Sequence, residues 1–423
     1  MVKRLLVLSP RFLFPLDQGG RIRTANTLRH LKGGAFHLTL LSPAPADADH
    51  WAAETAQVCD RFVSWPEPAM SRVGRVAALP GKLPVAVATD VSPAGKQAVA
   101  AALAERPDAI LVDFPHAGVL LPDQLDVPAI LFTHNVEAEI FARHAEVARG
   151  PMRLVWRDQA RKMRHFESAV LQRCQKIIAV SVRDAQALER QYGLSGVEPI
   201  ETGVDTDFYT FAAPTAAPSG GGTIVFTGSM DSRSNIDGIE FLMQDIWPAI
   251  LAARPGARAV IAGRNPPDRL VQAAKSRGFD WNFTGFVDDV RPHVAEGHAY
   301  VIPLRVGSGT RIKVFEAMAM GCPVVSTRLG AEGLDVTDGE NCLLADTAPD
   351  FAAAILRLLD NRALQSRLSQ AARTLVTTRF GWPVVTRRFE QICLSALVET
   401  QSWRSSKHRA KALLPRQVAR KVL

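Results

Sequence analysis

A chain of 423 residues exceeds what one ordinary hydrophobic core organises, so two domains of about 200 residues each are expected. Hydrophobic residues make up 47% and aromatic residues 7%, the balance of a globular enzyme, and no stretch approaches the ~20 apolar residues that cross a bilayer. The formal charge of +8 belongs to the end of the chain: seven basic and no acidic residues follow residue 400, leaving +1 for everything before them, which argues against a nucleic-acid-binding globule.

The first ten residues have the outline of a short signal peptide. However, Pro10, Arg11 and Asp17 interrupt it, and the apolar run Leu5 to Leu8 has the length of a strand, so it reads as the first buried strand of a cytoplasmic protein. Further strands are expected over 37–42, 109–113, 129–133 and 176–181, with helices over 21–31, 94–105 and 152–173 between them. Short, continuously apolar strands separated by helices imply a parallel sheet covered on both faces. The five cysteines (Cys59, Cys174, Cys322, Cys342, Cys393) are odd in number, widely spaced and without a CxxC, as in a reduced compartment with neither a disulfide framework nor a zinc site.

Pro214-Thr-Ala-Ala-Pro-Ser-Gly-Gly-Gly222 is the most linker-like stretch, and the αβ alternation resumes after it. Strands are expected over 223–227, 257–262, 281–286, 300–304 and 323–327, and helices over 236–253, 268–277 and 311–320. Three amphipathic helices follow, over 349–359, 361–378 and 382–398. The fold class is therefore α/β, two doubly wound Rossmann-like domains facing a central cleft, with ligands beyond the carboxyl ends of the strands. The boundaries expected are 1–205 for the first domain, 206–222 for the linker, 223–380 for the second, 381–400 for a helix returning to the first, and 401–423 for a basic tail.

The richest segment is Pro303-Leu-Arg-Val-Gly-Ser-Gly-Thr-Arg-Ile-Lys-Val-Phe-Glu316. A strand ends near Leu304, a Gly-Ser-Gly-Thr turn follows, and a helix begins near Thr310. Glycine lets a ligand approach the backbone, and the free N–H groups of Ser308, Gly309 and Thr310 at a helix start suit a phosphate. Arg311 and Lys313 stand in the first turn, where the macrodipole disfavours cations by roughly 0.3–1 kcal/mol each and a bound anion would remove that penalty. Glu316 shares a face with Lys313 and could accept hydrogen bonds from ribose hydroxyls. A helix-start turn with a surface Lys–Glu pair is the plainer reading of the same residues.

The run Glu316-Ala-Met-Ala-Met-Gly-Cys-Pro-Val-Val325, followed by Gly330-Ala-Glu-Gly-Leu334 and Asp338-Gly-Glu-Asn-Cys-Leu-Leu344, resembles the donor-binding domain of glycosyltransferase family 4, which has the GT-B fold. The resemblance extends upstream through Phe226-Thr-Gly-Ser229, Ala262-Gly-Arg264 and Thr284-Gly-Phe-Val-Asp-Asp-Val-Arg291, and more loosely through Gly19-Gly20, Thr133-His-Asn-Val-Glu137 and Thr202-Gly-Val-Asp205. It implies a nucleotide-sugar donor held by the second half, with Gly228 close to it and the base against main chain near Phe286 and Val287. The family's Glu-x7-Glu pair has Ser308 at its first position here, and its usual Arg…Lys phosphate clamp is absent from Gly228-Ser-Met-Asp-Ser-Arg-Ser-Asn235. Arg311 and Lys313 are then expected to supply the missing cations, with Arg233 or Arg264 assisting.

By the same resemblance Gly19 and Gly20 form an acceptor or phosphate loop, although a glycine pair after a strand is equally ordinary turn chemistry. His134 ends a strand and is expected at the transferred sugar or reacting centre, with a structural histidine as the alternative. The family implies retention of anomeric configuration, a glycan or lipid-linked acceptor and transfer without metal or other cofactor. Arg153, Arg157, Arg161 and Arg164 form one stripe of a helix and, with the tail, make an anionic membrane surface a further expected partner; Pro415 argues against one continuous tail helix. Two other readings stay open: a catalytically silent nucleotide-sugar-binding partner, and a nucleotide-sugar epimerase.

Overall fold

The computed structural model describes residues 2–306 and 312–413, with side chains through Val398. The chain divides into two compact units, one formed by 1–201 with 385–423 and the other by 202–384.

The first unit is built on strands β1 (Lys3–Leu8), β2 (Phe36–Ala44), β3 (Arg61–Pro66), β4 (Ala109–Asp113), β5 (Ala129–Thr133), β6 (Lys176–Ala179) and β7 (Glu198–Pro199). All pair in parallel, in the order β3-β2-β1-β4-β5-β6-β7. Its helices are α1 (Gly19–Leu31), α2 (Ala52–Val58), α3 (Arg72–Ala77), α4 (Val85–Ala88), α5 (Pro93–Ala104), α6 (Glu137–Val147), α7 (Pro151–Leu171) and α8 (Val182–Tyr192). Local chemistry sets their ends. The Ser181 hydroxyl caps α8 by accepting from the Asp184 N–H, and Gly193 in the left-handed region terminates it. The strands 109–113 and 129–133, buried along their whole length, are the fully apolar runs that a parallel sheet covered on both faces requires. β3 was not legible as a strand because its residues are mostly part-exposed at the sheet edge and carry no continuous apolar run.

The second unit has β8 (Gly221–Thr227), β9 (Gly256–Ala262), β10 (Trp281–Gly285), β11 (Ala299–Ile302), β12 (Val324–Ser326) and β13 (Leu343–Leu344), again all parallel, in the order β10-β9-β8-β11-β12-β13. Helices α9 (Arg233–Phe241), α10 (Trp247–Ala253), α11 (Asp268–Ser276), α12 (Arg291–Ala295), α13 (Ile312–Met320), α14 (Ala348–Asp360) and α15 (Arg362–Leu375) cover it. Trp247, Phe226, Phe315 and Phe351 are wholly buried in its two core clusters. Burial of a large apolar side chain contributes roughly 1.5–3 kcal/mol.

Three sequence expectations change. The helix expected over 236–253 is α9, a π-turn at Leu242–Ile246, and α10; Pro248 has no N–H for the carbonyl four residues earlier, and the wider turn absorbs the defect. Residues 206–222 are not a separate linker between the units. Val204 bonds the Phe380 carbonyl, Ala212 bonds the Met320 carbonyl, and Gly221 already begins β8, so the segment belongs to the second unit from residue 202. Helix α16 (Trp382–Leu413) runs on through the first part of the basic tail, since Pro415 lies beyond it and no proline or glycine interrupts 384–413. The five cysteines are all free of disulfides, and burial raises the Cys322 thiol to about 12.

Candidate functional site

In each sheet the strand order reverses beside its first strand, between β1 and β4 and between β8 and β11. The loops beyond the carboxyl ends at that point are where such sheets bind ligands.

In the second unit the Thr227 carbonyl at the end of β8 accepts from Lys313 Nζ at 2.9 Å, and Asn235 Oδ1 accepts from the same ammonium at 3.3 Å. The ammonium also lies 4.0 Å from the centre of the Phe226 ring. These acceptors explain how a cation is tolerated in the first turn of α13. Gly228 is required here by close approach: a Cβ would come within 2.8 Å of Asn235 Nδ2 and 3.0 Å of Lys313 Nζ. Glu316, one turn along α13, is half-buried, and burial raises its carboxyl above the ordinary range while the Tyr209 hydroxyl and Lys313 pull it back. Gly228, Lys313 and Glu316 thus gather at the end of β8, together with Asn235 and Tyr209, which sequence reasoning passed over.

The other expected donor residues are placed differently. Arg264 pairs with Asp231 at 2.7 Å and also donates to Ser229 Oγ, and Asn265 donates to the same carboxylate. Arg233 is exposed in the first turn of α9. Phe286, 71% exposed, and half-buried Val287 follow β10, the edge strand separated from β8 by β9. Ser308, Gly309, Thr310 and Arg311 lie outside the described residues.

In the first unit Asp113 ends β4 and organises a buried polar cluster. Its carboxylate accepts from Thr24 Oγ1 at 3.0 and 3.1 Å and from Ser9 Oγ at 3.1 Å. His134 Nε2 lies 2.8 Å from Asp113 Oδ1, and Arg23 approaches Nδ1 at 3.1 Å. That pairing fits an imidazole with its proton on Nε2 and a lone pair on Nδ1. Burial lowers the His134 pKa, Asp113 opposes the shift, and Arg23 adds to it, so the neutral ring is favoured. Burial likewise lowers the Arg23 guanidinium to about 10 against the pull of Asp184 and Asp113. The His134 ring stacks on Phe114 at 4.1 Å and 4°, although Phe114 sits at φ +67°. A bulky residue in that region costs on the order of 1–3 kcal/mol and persists only where its surroundings fix it.

Gly20 stands against this pair, for a Cβ there would meet Phe114 Cζ at 2.9 Å, whereas Gly19 has open space. Both start α1. His134 therefore joins Gly20, but with both ring nitrogens already engaged. The residues that hold it (Arg23, Thr24, Asp113, Phe114) were missed, although Asp113 had a legible signal: it is the lone acid at the carboxyl end of an apolar strand. Among the described residues, no group of three or more His, Cys, Asp or Glu side chains is placed to hold a metal ion.

Two doubly wound parallel sheets of this order define a GT-B glycosyltransferase fold. The chain belongs to glycosyltransferase family 4: residues 18–208 match the family described as Glycosyltransferase Family 4, and residues 221–361 the one described as Glycosyl transferases group 1. It is 26% identical over 294 residues to a glycogen synthase of Mycobacterium tuberculosis, covering 66% of each chain. It is 31% identical over 209 residues to a phosphatidyl-myo-inositol mannosyltransferase of the same organism, covering 47% of this chain and 54% of that one. The chain thus spans less than two thirds of the length of these relatives. The structure of Anabaena HepE in complex with UDP superposes with a TM-score of 0.64 at 14% identity, covering 93% of this chain and 100% of that one, a likeness of fold.

Proposed function

We propose that this glycosyltransferase moves a hexose-type sugar, with retention, from a nucleoside-diphosphate-sugar donor to a glycan or lipid-linked acceptor in polysaccharide or glycoconjugate assembly. The observation that carries the reading is the Lys313 ammonium, held by the Thr227 carbonyl and Asn235 at the end of β8 with Glu316 one turn away. As the bond from the sugar to the diphosphate breaks, its electron pair goes to the leaving phosphate oxygen. A fixed cation there stabilises the transition state more than the ground state. Lys313, Arg311 and the N–H groups of Ser308, Gly309 and Thr310 take that role, with Arg233 and Arg264 as outer cations, and the transfer is read as independent of metal. Glu316 receives the ribose hydroxyls, and Phe286 and Val287 the base.

On the acceptor side, Gly19 and Gly20 provide the loop and His134 serves the reacting centre. Its imidazole reaches a sugar hydroxyl by exchanging Arg23 at Nδ1. The names of the relatives, a glycogen synthase and a mannosyltransferase, and the UDP bound by HepE support the donor class. Peripheral attachment at the inner membrane face belongs to the same reading. Arg153, Arg157 and Arg164 are exposed as required, while Arg161 is engaged by Asp158 at 2.9 Å. No helix among the described residues is long and apolar enough to cross a membrane.

Thermal unfolding with UDP- and GDP-sugars, followed by product analysis with and without acceptor and with chelator, tests the reading. Stabilisation by one nucleotide class and acceptor-dependent formation of an anomer of unchanged configuration, unaffected by chelator, is the expected result. Binding without turnover would identify a silent partner, and conversion of donor without acceptor an epimerase.

A further inference from the structure

The first unit contains an apolar cavity of about 560 Å³ bounded by α3, α4, α6 and the start of α7. Val76, Leu79, Val85, Phe141, Met152 and Trp156 form most of its wall. The Trp156 indole is fixed there, stacked on His144 at 4.5 Å and edge-on to Phe141 at 5.8 Å.

Three of the four polar side chains of the lining have partners of their own, and the fourth, Arg75, is exposed. Gln159 Oε1 accepts from the Val85 N–H at 2.7 Å, the Thr89 hydroxyl donates to the Ala86 carbonyl at 2.6 Å, and Arg11 pairs with the buried Asp90. A sugar or nucleotide entering the cavity would lose hydrogen bonds to water without gaining replacements there. A hydrocarbon chain meets no such penalty, and each CH₂ it buries adds to binding.

The rim has the same character. Val73, Val76, Val147, Met152 and Leu154 are five of the twelve exposed large hydrophobic side chains found among the described residues, and all lie on the two segments that edge the cavity. Those segments, 68–82 and 147–157, each carry three basic residues and no acidic one. Exposed apolar side chains grouped around a groove mark an interaction site. Their combination with basic charge matches the interface of an anionic bilayer, which attracts Lys and Arg near its surface.

We propose that this cavity binds one hydrocarbon chain of an anionic phospholipid, with the rim hydrophobics entering the interface and Arg72, Arg75, Lys82, Arg149, Arg153 and Arg157 meeting the headgroups. The proposal rests on the peripheral-attachment part of the reading above and is independent of its transferase part. It adds to the contact expected from the α7 arginine stripe and the basic tail a groove with a chain-binding interior.

Vesicles of phosphatidylcholine with and without phosphatidylglycerol, the latter also carrying brominated acyl chains, test it on the full chain. Binding is expected only with phosphatidylglycerol, with tryptophan quenching by the brominated chains that is lost in Trp156→Phe. The double variant Val76→Asp, Met152→Asp alters two exposed side chains. It should bind these vesicles at least tenfold more weakly while unfolding normally and retaining the thermal shift given by whichever of the UDP- and GDP-sugars stabilises the parent chain. Equal quenching in Trp156→Phe, or full vesicle affinity in the double variant, overturns the groove while leaving peripheral attachment standing. Absence of any vesicle binding overturns both, and that thermal shift reports on the transferase reading separately.

Discussion

Lys313 is tied to Thr227: its ammonium donates to the last carbonyl of β8 at 2.9 Å, fastening the first turn of α13 to the sheet at the point where the strand order reverses. The ammonium proposed for the donor site is thus held before any ligand arrives, and such preorganisation makes a charge effective in a transition state. Lys313→Ala is expected to lower kcat/KM by about 10²–10³-fold, the loss typical of removing one preorganised electrostatic donor. The accompanying loss of fold stability should be only about 1 kcal/mol, because the Thr227 carbonyl can take a water instead. Steady-state kinetics and calorimetric UDP binding check the first part, urea unfolding the second. Unchanged turnover would remove Lys313 from the site.

Gly228 and Gly263 differ in what an added methyl group would displace in the same region. A Cβ at Gly228 meets Asn235 Nδ2 at 2.8 Å and Lys313 Nζ at 3.0 Å, both ends of side chains that can move. A Cβ at Gly263 meets the Gly228 carbonyl oxygen at 2.0 Å, which cannot yield without shifting the strand ends. Gly228 also sits at φ +155°, where an L side chain is strained, so Gly228→Ala should weaken nucleotide binding about tenfold or more, a displacement of the ammonium equivalent to about 1.4 kcal/mol, and lower the melting temperature as well. Gly263→Ala should destabilise the fold by about 1–3 kcal/mol. Parallel melting curves and UDP titrations of the two variants make the comparison.

Much of this was readable in the residues, for reasons that differ between the two units. The apolar runs of β1, β4, β5, β8 and β9 have the lengths and separations that parallel sheets demand, and the motif around Glu316 pointed to the family that the comparisons show. Asn235 and Tyr209 were not legible because they reach Lys313 and Glu316 across long sequence separations: Lys313 and Asn235 are 78 residues apart. His134 was singled out, but its engagement on both nitrogens was not, since Arg23 lies 111 residues from it. The linker was misplaced because proline and glycine content marks a turn equally well whether the chain lies free or packs along a domain, as 206–222 does through Ala212.

Asp113 holds the buried polar cluster of the first unit together, and its removal should show it. Ser9, Thr24 and His134 all contact one wholly buried carboxylate. Asp113→Ala leaves these groups without their shared acceptor and Arg23 without a nearby counter-charge, and breaking buried charged networks destabilises by about 3–5 kcal/mol. The expected outcome is a large shift in the urea midpoint, together with loss of transfer activity that nucleotide binding does not track. A midpoint close to that of the parent chain would show that the cluster tolerates an empty acceptor position.

Buried His134 and half-buried His116 of the first unit should give stability opposite pH dependences. Burial lowers the pKa of His116, but Asp90 at 3.3 Å and Glu137 at 3.6 Å outweigh it, and the group is raised to about 9. Its unfolded value is about 6.5. The stabilisation it contributes is therefore complete below about 6.5 and fades as the pH rises toward 9, where the folded imidazolium loses its proton. Arg11 shares Asp90, and the Glu137 contact is longer than a hydrogen bond, so the contribution is on the order of 1–3 kcal/mol. For His134 the sign reverses: its folded value is lowered, so its contribution is present above about 6.5 and declines as the pH falls below that. Urea unfolding from pH 5.5 to 9.5 should show His116→Asn losing stability relative to the parent chain at pH 6.5 and converging with it near pH 9. A difference constant across that range would mean that His116 is neutral in the folded chain and that Asp90 is balanced by Arg11 alone.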